Sequence, residues 1–224
     1  MLSEGKGKEH VETRQKRIAL ARKSGDRYSL ANALSGQAMN HIFHGEWDQA
    51  DVALREAEQL LVEADLSMGN GQTQMWRAFL FVGRGELEKG KFELVSYIDW
   101  GNRVGEKNMQ SLAVYVLGLV AEMEGDLQSA LAYSQKSVDL SREIGSQGSA
   151  LAGILAAFGR LEYLTGDRES AIHDVNESLD LVKQNVTFAD TNSFIFLQIG
   201  GMCVEINPQT AVQLLGYSDQ IYQT

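Results

Sequence analysis

A small residue recurs five times along this chain, at Ala50, Gly90, Ala130, Ala171 and Ala211, at spacings of 40, 40, 41 and 40 residues. Four of the five follow a Gly-acid pair by five residues: Gly45-Glu46, Gly85-Glu86, Gly125-Asp126 and Gly166-Asp167. A period of this length marks stacked supersecondary units, none of which buries its apolar face alone.

Inside each period the apolar spacing is helical and is interrupted twice. Across 106–145, Leu112, Tyr115, Val116, Leu119, Val120 and Met123 form one stripe at three- and four-residue steps. Gly125 then stops that helix in the left-handed conformation, and Asp126 opens the next as an N-cap carboxylate. The second helix carries Leu127, Ala130, Leu131, Ser134, Val138 and Leu140 on one side and stops near Gly145. The same reading along the chain predicts an opening helix at 8–23 and pairs at 27–43 with 46–64, 72–84 with 86–103, 107–124 with 126–144, 147–165 with 167–184, and 189–205 with 208–222. Valine and threonine do not alternate, so no strand is expected. One proline among 224 residues leaves the helices uninterrupted, and the 22 glycines punctuate them.

The predicted fold class is all-α: a right-handed superhelical solenoid of antiparallel helix pairs, about 11 helices in one continuous domain. A polar N-terminus and half-repeat helix occupy 1–24, and five pairs occupy 25–224, divided at about 65, 105, 145 and 185. The recurring small residue has a packing role in this scheme. Where the start of a second helix passes closest to the first, only a methyl group or a hydrogen fits, and a larger side chain overpacks the crossing at a cost of about 1–3 kcal/mol. Leu54, Leu94, Val175 and Leu215, each four positions later, fill the wider gap.

Charge and sulfur narrow the function. A net charge of −10 repels phosphate backbones and anionic lipid, so neither nucleic acid nor a membrane is expected as a partner. The single Cys203 cannot pair internally, which points to a reducing cytoplasm, and its apolar run points to a buried, inert thiol. No stretch of about 20 apolar residues is present to span a bilayer.

The crossing itself, with small residues on both helices, resembles the tetratricopeptide repeat. Here Ala38, Ala78, Gly118 and Gly159 on the first helices meet Ala50, Gly90, Ala130 and Ala171 on the second. The resemblance covers nearly the whole chain, although the usual period of that family is about 34 residues. The longer period, with phrases such as "ARKSGDRYSLANAL" and "SREIGSQGSALAGIL", looks like the C-terminal repeat region of maltose-regulator-like bacterial signalling ATPases and transcription regulators. "TAVQLLGYSDQIY" near the C-terminus is similar to a phrase close to the end of such regulators. Period five departs from the pattern, with Ile206-Asn207 in place of the Gly-acid pair. The segment 9–23 aligns with second helices, so the array is expected to begin halfway through a unit. At the other end Leu214, Leu215, Tyr217, Ile221 and Tyr222 leave the last helix apolar, which points to a homodimer or to further sequence.

The resemblance implies that first helices line a concave groove. Carried over position by position, it directs Met39, Met75, Phe79, Tyr115, Leu119, Arg160, Tyr163 and Phe196 inward. The lysines and asparagines with which carboxylate-gripping relatives clamp a peptide end are replaced by residues such as Ser35 and Met39. The expected occupant is an apolar peptide or protein segment, with Arg160 fixing one acidic group. The expected function is a non-enzymatic interaction scaffold, part of or related to a bacterial signal-transduction regulator. The alternative is a sensor module for a small hydrophobic ligand or signalling peptide.

Chemical sites are sparse. His41 and His44 share a helical face at a spacing zinc can use, but no Asp, Glu or Cys set completes them, and His10 and His173 stand isolated. Gly83-Arg84-Gly85-Glu86 and Gly69-Asn70-Gly71 lack a preceding strand and a phosphate-loop lysine, so they read as turns. Asp48 with Asp51, and Glu56 with Glu58, read as solvated faces of second helices. No enzyme, cofactor or metal is expected.

Overall fold

A computed structural model describes residues 13, 15–65, 71–107, 109–145, 148–184 and 189–222. The described residues contain helices and no strand. A first helix α1 covers 15–24; then follow α2 (Arg27–Phe43), α3 (Trp47–Glu63), α4 (Gly71–Gly83), α5 (Leu87–Val104), α6 (Gln110–Met123), α7 (Leu127–Glu143), α8 (Ser149–Thr165), α9 (Arg168–Gln184), α10 (Ala189–Ile206) and α11 (Pro208–Tyr222). These bounds match the predicted pairs to within three residues at every end. Among the described residues no helix is long and apolar enough to cross a membrane.

The chain divides into two compact units, Met1–Gly105 and Glu106–Thr224. In the first, α2 pairs with α3 and α4 with α5; in the second, α6 pairs with α7, α8 with α9 and α10 with α11. The helix α1 packs at the start of the first unit. Its Ala21 joins Leu30, Ala31 and Leu34 of α2 and Ala57 and Leu61 of α3 in one buried cluster.

The turn inside a pair follows from two orphaned carbonyls. At Gly125, with φ of +82°, the glycine N–H donates to the Glu122 carbonyl at 2.9 Å and the Asp126 N–H reaches back to the Ala121 carbonyl at 2.9 Å. That double bond closes the last turn of α6 and reverses the chain at once, and only glycine adopts the geometry without a Cβ penalty. The Asp126 carboxylate then accepts from the Ser129 N–H at 3.0 Å, capping α7. Asp167 does the same for Ser170. Glu46 and Glu86 do not cap, contrary to a uniform reading of the Gly-acid pair. Their longer side chains turn aside, Glu46 to His41 and Glu86 to Lys89. In period five Asn207 replaces the acid as cap, accepting from the Thr210 N–H at 3.1 Å, while Pro208 takes the first helical position.

The crossings are as tight as the period implies. Ala38, Ala50, Ala78, Ala130 and Ala171 have no exposed surface at all. A Cβ added at Gly159 would lie 2.9 Å from Val175 Cγ2 and 3.0 Å from the Ala171 carbonyl oxygen. Backbone cannot give way there as a side chain can, which is why the first helix is reduced to hydrogen at this point.

Candidate interaction face

In the Glu106–Thr224 unit one cation ties three first helices together. Arg160 on α8 donates through Nη2 to both carboxylate oxygens of Glu122 on α6, each at 2.6 Å, and through Nε to Gln198 Oε1 on α10 at 2.6 Å. Arg160 is therefore not waiting for an acidic group on a partner; Glu122 already neutralises it, which corrects the expected role. On the same three helices Leu119 of α6, Tyr163 of α8 and Phe196 of α10 are half-buried. Tyr163 has its ring 5.5 Å below the Arg168 guanidinium and packs against the Ala171, Val175 and Met202 cluster. Tyr115 lies deeper, at 7% exposure, and burial pushes its hydroxyl up beyond the usual phenol range. It is a core residue of α6 and has little surface to offer a partner.

The Met1–Gly105 unit treats its share of the predicted residues in the same mixed way. Met39 on α2 and Phe79 on α4 are half-buried, whereas Met75 is wholly buried. Phe79 stacks at 5.2 Å on Trp76, which in turn meets Phe43 edge-on at 6.1 Å, so the aromatics form a chain along the two first helices. Of the eight inward candidates, Met75 and Tyr115 belong to the core, and six retain partial exposure.

Of the carboxylates read as solvated faces, Asp48 is exposed and Glu56 and Glu58 are partly exposed, but Asp51 is buried in an ion cluster. Arg77 on α4 is 8% exposed. It grips Glu58 of α3 bidentately at 2.8 and 2.6 Å and donates to Asp51 Oδ1 at 2.5 Å. Arg55 holds the other Asp51 oxygen at 2.7 Å. Burial raises the Asp51 carboxyl, but bonds to Arg77 and Arg55 outweigh it and leave the group below its usual range. An arginine inside the run "GQTQMWRAFLFVG" was the available signal: a charge on an otherwise apolar helix needs a partner on its neighbour. A cleft of about 350 Å³ opens beside this cluster, lined by Leu61, Val62, Thr73, Gln74, Glu93 and Trp100 among others.

His41 pairs with Glu46, and His44 bonds the Asn40 carbonyl at 2.8 Å. Cys203 is half-buried rather than enclosed. Gly83-Arg84-Gly85-Glu86 forms the turn between α4 and α5. In Gly69-Asn70-Gly71 the first two residues lie outside the described ones, and Gly71 begins α4. Leu214 and Leu215 pack on α10 around Gly200, where an added Cβ would meet Leu215 Cδ2 at 3.0 Å. The side chains of Tyr217, Ile221 and Tyr222, and His10, lie outside the described residues.

His173 is not isolated. Its Nδ1 is 2.9 Å from Asp174 Oδ1, which holds the imidazole in its charged form more strongly than usual. Across the pair, Glu162 of α8 is 9% exposed, and its Oε2 is buried without a hydrogen bond among the described residues. Burial, then the charges of Asp174 and Asp167, push its carboxyl up to about 7.

No protein-family profile matches this chain. No curated protein matches it either. Solved structures do. BtubC (BKLC) from P. vanneervenii is similar with a TM-score of 0.65 at 15% identity, over 96% of this chain and 91% of that one. The APC/C hetero-tetramer Cut9-Hcn1 is similar with a TM-score of 0.67 at 15% identity; the match takes in 94% of this chain and 36% of the matched one. These neighbours are tetratricopeptide-like helical-repeat proteins, and at such identity they define the fold of this chain as helical-repeat.

Proposed function

We propose that this chain is a non-catalytic, cytoplasmic interaction scaffold that holds an apolar segment of a partner protein on the first-helix face of its Glu106–Thr224 unit. The observation that carries this reading is the combination of half-buried Leu119, Tyr163 and Phe196 with an Arg160 already neutralised by Glu122. Such a face rewards burial of apolar side chains and offers an incoming carboxylate little. The resemblance to maltose-regulator-like repeat regions supports placing the scaffold in, or close to, a bacterial signal-transduction regulator. Self-association through α11 belongs to the same reading, and sedimentation of the chain measures it.

A photo-reactive residue introduced at Leu119, and separately at Phe92 on the exposed surface of α5, tests the site. The expected result is one discrete partner adduct from Leu119 that disappears with Phe196→Asp, and none from Phe92. Equal labelling from both positions contradicts the assignment.

The cleft of about 350 Å³ beside Trp100 favours a second reading, a sensor for a small hydrophobic ligand. A ligand bound there raises thermal stability by mass action, by about 2.7 kcal/mol at a hundredfold excess over its dissociation constant. A Trp100→Ala chain loses that response if the cleft is the site.

A further inference from the structure

Period four departs from period three at one corner of its helix pair. Counting back the 41 residues that separate Ala171 from Ala130, the counterparts of Glu162, His173, Asp174 and Glu177 are Ala121, Ala132, Tyr133 and Lys136. In period three Ala121 and Tyr133 pack in one apolar cluster. Period four replaces that methyl and ring with two carboxylates and sets an imidazole and a third carboxylate beside them.

Three of these groups stand together on α9, and the fourth, Glu162, is on the helix opposite. Gly159 touches Ala171 and Val175 across the pair, so Glu162, one turn on from Gly159, lies on the stripe of α8 that faces α9. Asp174 is buried on the opposing stripe of α9 with Ala171, Val175 and Ser178. The ligand atoms of His173, Asp174 and Glu177 all lie within 4.8 Å of one another, and His173 and Glu177 stand one turn apart on the same helix. A buried carboxylate is costly to keep charged unless something positive joins it; Asp174 has His173 at 2.9 Å, whereas the buried Glu162 Oε2 has no hydrogen bond among the described residues.

We propose that Glu162, His173, Asp174 and Glu177 form a binding site for a divalent transition-metal ion that clasps α8 to α9. One imidazole nitrogen with three carboxylates suits zinc and its first-row neighbours, and the imidazole disfavours calcium and magnesium. For His173 and Asp174 to ligate one ion, the imidazole exchanges its Nδ1 contact with Asp174, at 2.9 Å, for the metal. Arg142 of α7 donates to Glu177 Oε2 at 2.6 Å, leaving the other carboxylate oxygen open to the metal.

Calorimetric titration of zinc chloride into the metal-stripped chain tests this. The expected result is one ion per chain with a dissociation constant of about 10 µM or tighter. Glu162→Gln, which preserves shape, and His173→Ala, at an exposed ring, each weaken binding by about tenfold or more. His41→Ala, at the other histidine-carboxylate contact, leaves binding unchanged. Circular dichroism confirms that each variant folds. The absence of zinc binding overturns the site, as does wild-type affinity in either the Glu162→Gln or the His173→Ala chain, or a loss confined to His41→Ala.

Discussion

Between α3 and α4 the joint of the Met1–Gly105 unit is an ion cluster, with Arg77 enclosed by Glu58 and Asp51. Between α7 and α8 the joint of the Glu106–Thr224 unit is apolar, with Leu161 packed on Ala121 and Ala130 beside Leu131 and Tyr133. The crossings within pairs do not differ in this way: every one is closed by alanine or glycine on both helices from Ala38 and Ala50 to Gly159 and Ala171. Contact within a pair is set by how closely two backbones approach, which allows one solution. Contact between pairs needs only complementary side chains, and ionic or apolar chemistry serves equally well.

An ionic joint is unforgiving, because losing one partner strands the other. Arg77→Met leaves Asp51, with its side chain 13% exposed, held only from its outer side by Arg55 and Arg84, and should cost about 3 kcal/mol. Arg160→Met in the other unit, where side chains are 20% and 22% exposed, should cost about 1.5 kcal/mol. Trp47, Trp76 and Trp100 all lie in the first unit, so tryptophan fluorescence during urea unfolding reports there, and far-UV dichroism reports on the whole chain. Equal losses would erase the distinction between the two joints. Acid sharpens it: the Asp51 carboxyl is depressed, so its contribution is full above the unfolded value of 3.8 and fades as pH falls through the lower folded value. The fluorescence-detected stability of wild type should fall over that range, and the Arg77→Met chain should show a flatter acid limb.

Next in size is the crossing itself. Gly159→Val should cost about 2–3 kcal/mol, because its Cβ meets the Ala171 carbonyl at 3.0 Å. Gly36→Ala, in the helix interior of α2 with nothing within 4 Å of the added methyl, should instead gain about 0.5–1 kcal/mol. Matching signs for the two substitutions would break the steric account. The smallest effect concerns Asp65, which holds φ of +56° where Gly25, Gly105 and Gly145 close the equivalent turns. Asp65→Gly should stabilise by about 0.5 kcal/mol, read as a small upward shift in the fluorescence-detected midpoint.

The period, the helix limits and the glycine turns were legible because each depends on residues close in sequence. Gly125 and Asp126 announce their geometry within a few positions. What stayed hidden is pairing across helices. Arg160 looked like a free cation, since its partners Glu122 and Gln198 each stand 38 residues away. Asp51 looked solvated until Arg77 was seen to cover it. Met75 and Tyr115 each stand one turn before a half-buried candidate, Phe79 and Leu119, and Ser35 and Ala156 at the same place in their helices are buried too, so only the neighbouring helix decides which turn of the stripe is enclosed. Glu162 and His173 belong to different helices, so the histidine looked isolated.

The central claim is that a partner segment docks on the face formed by α6, α8 and α10. The direct measurement is the affinity, by calorimetry, of the segment recovered by cross-linking for three folded variants, Leu119→Asp, Phe196→Asp and Phe92→Asp. The account predicts a loss of about tenfold or more, or about 1.4 kcal/mol, for each of the first two and none for the third. Unchanged affinity for Leu119→Asp and Phe196→Asp, or an equal loss for Phe92→Asp, would contradict it.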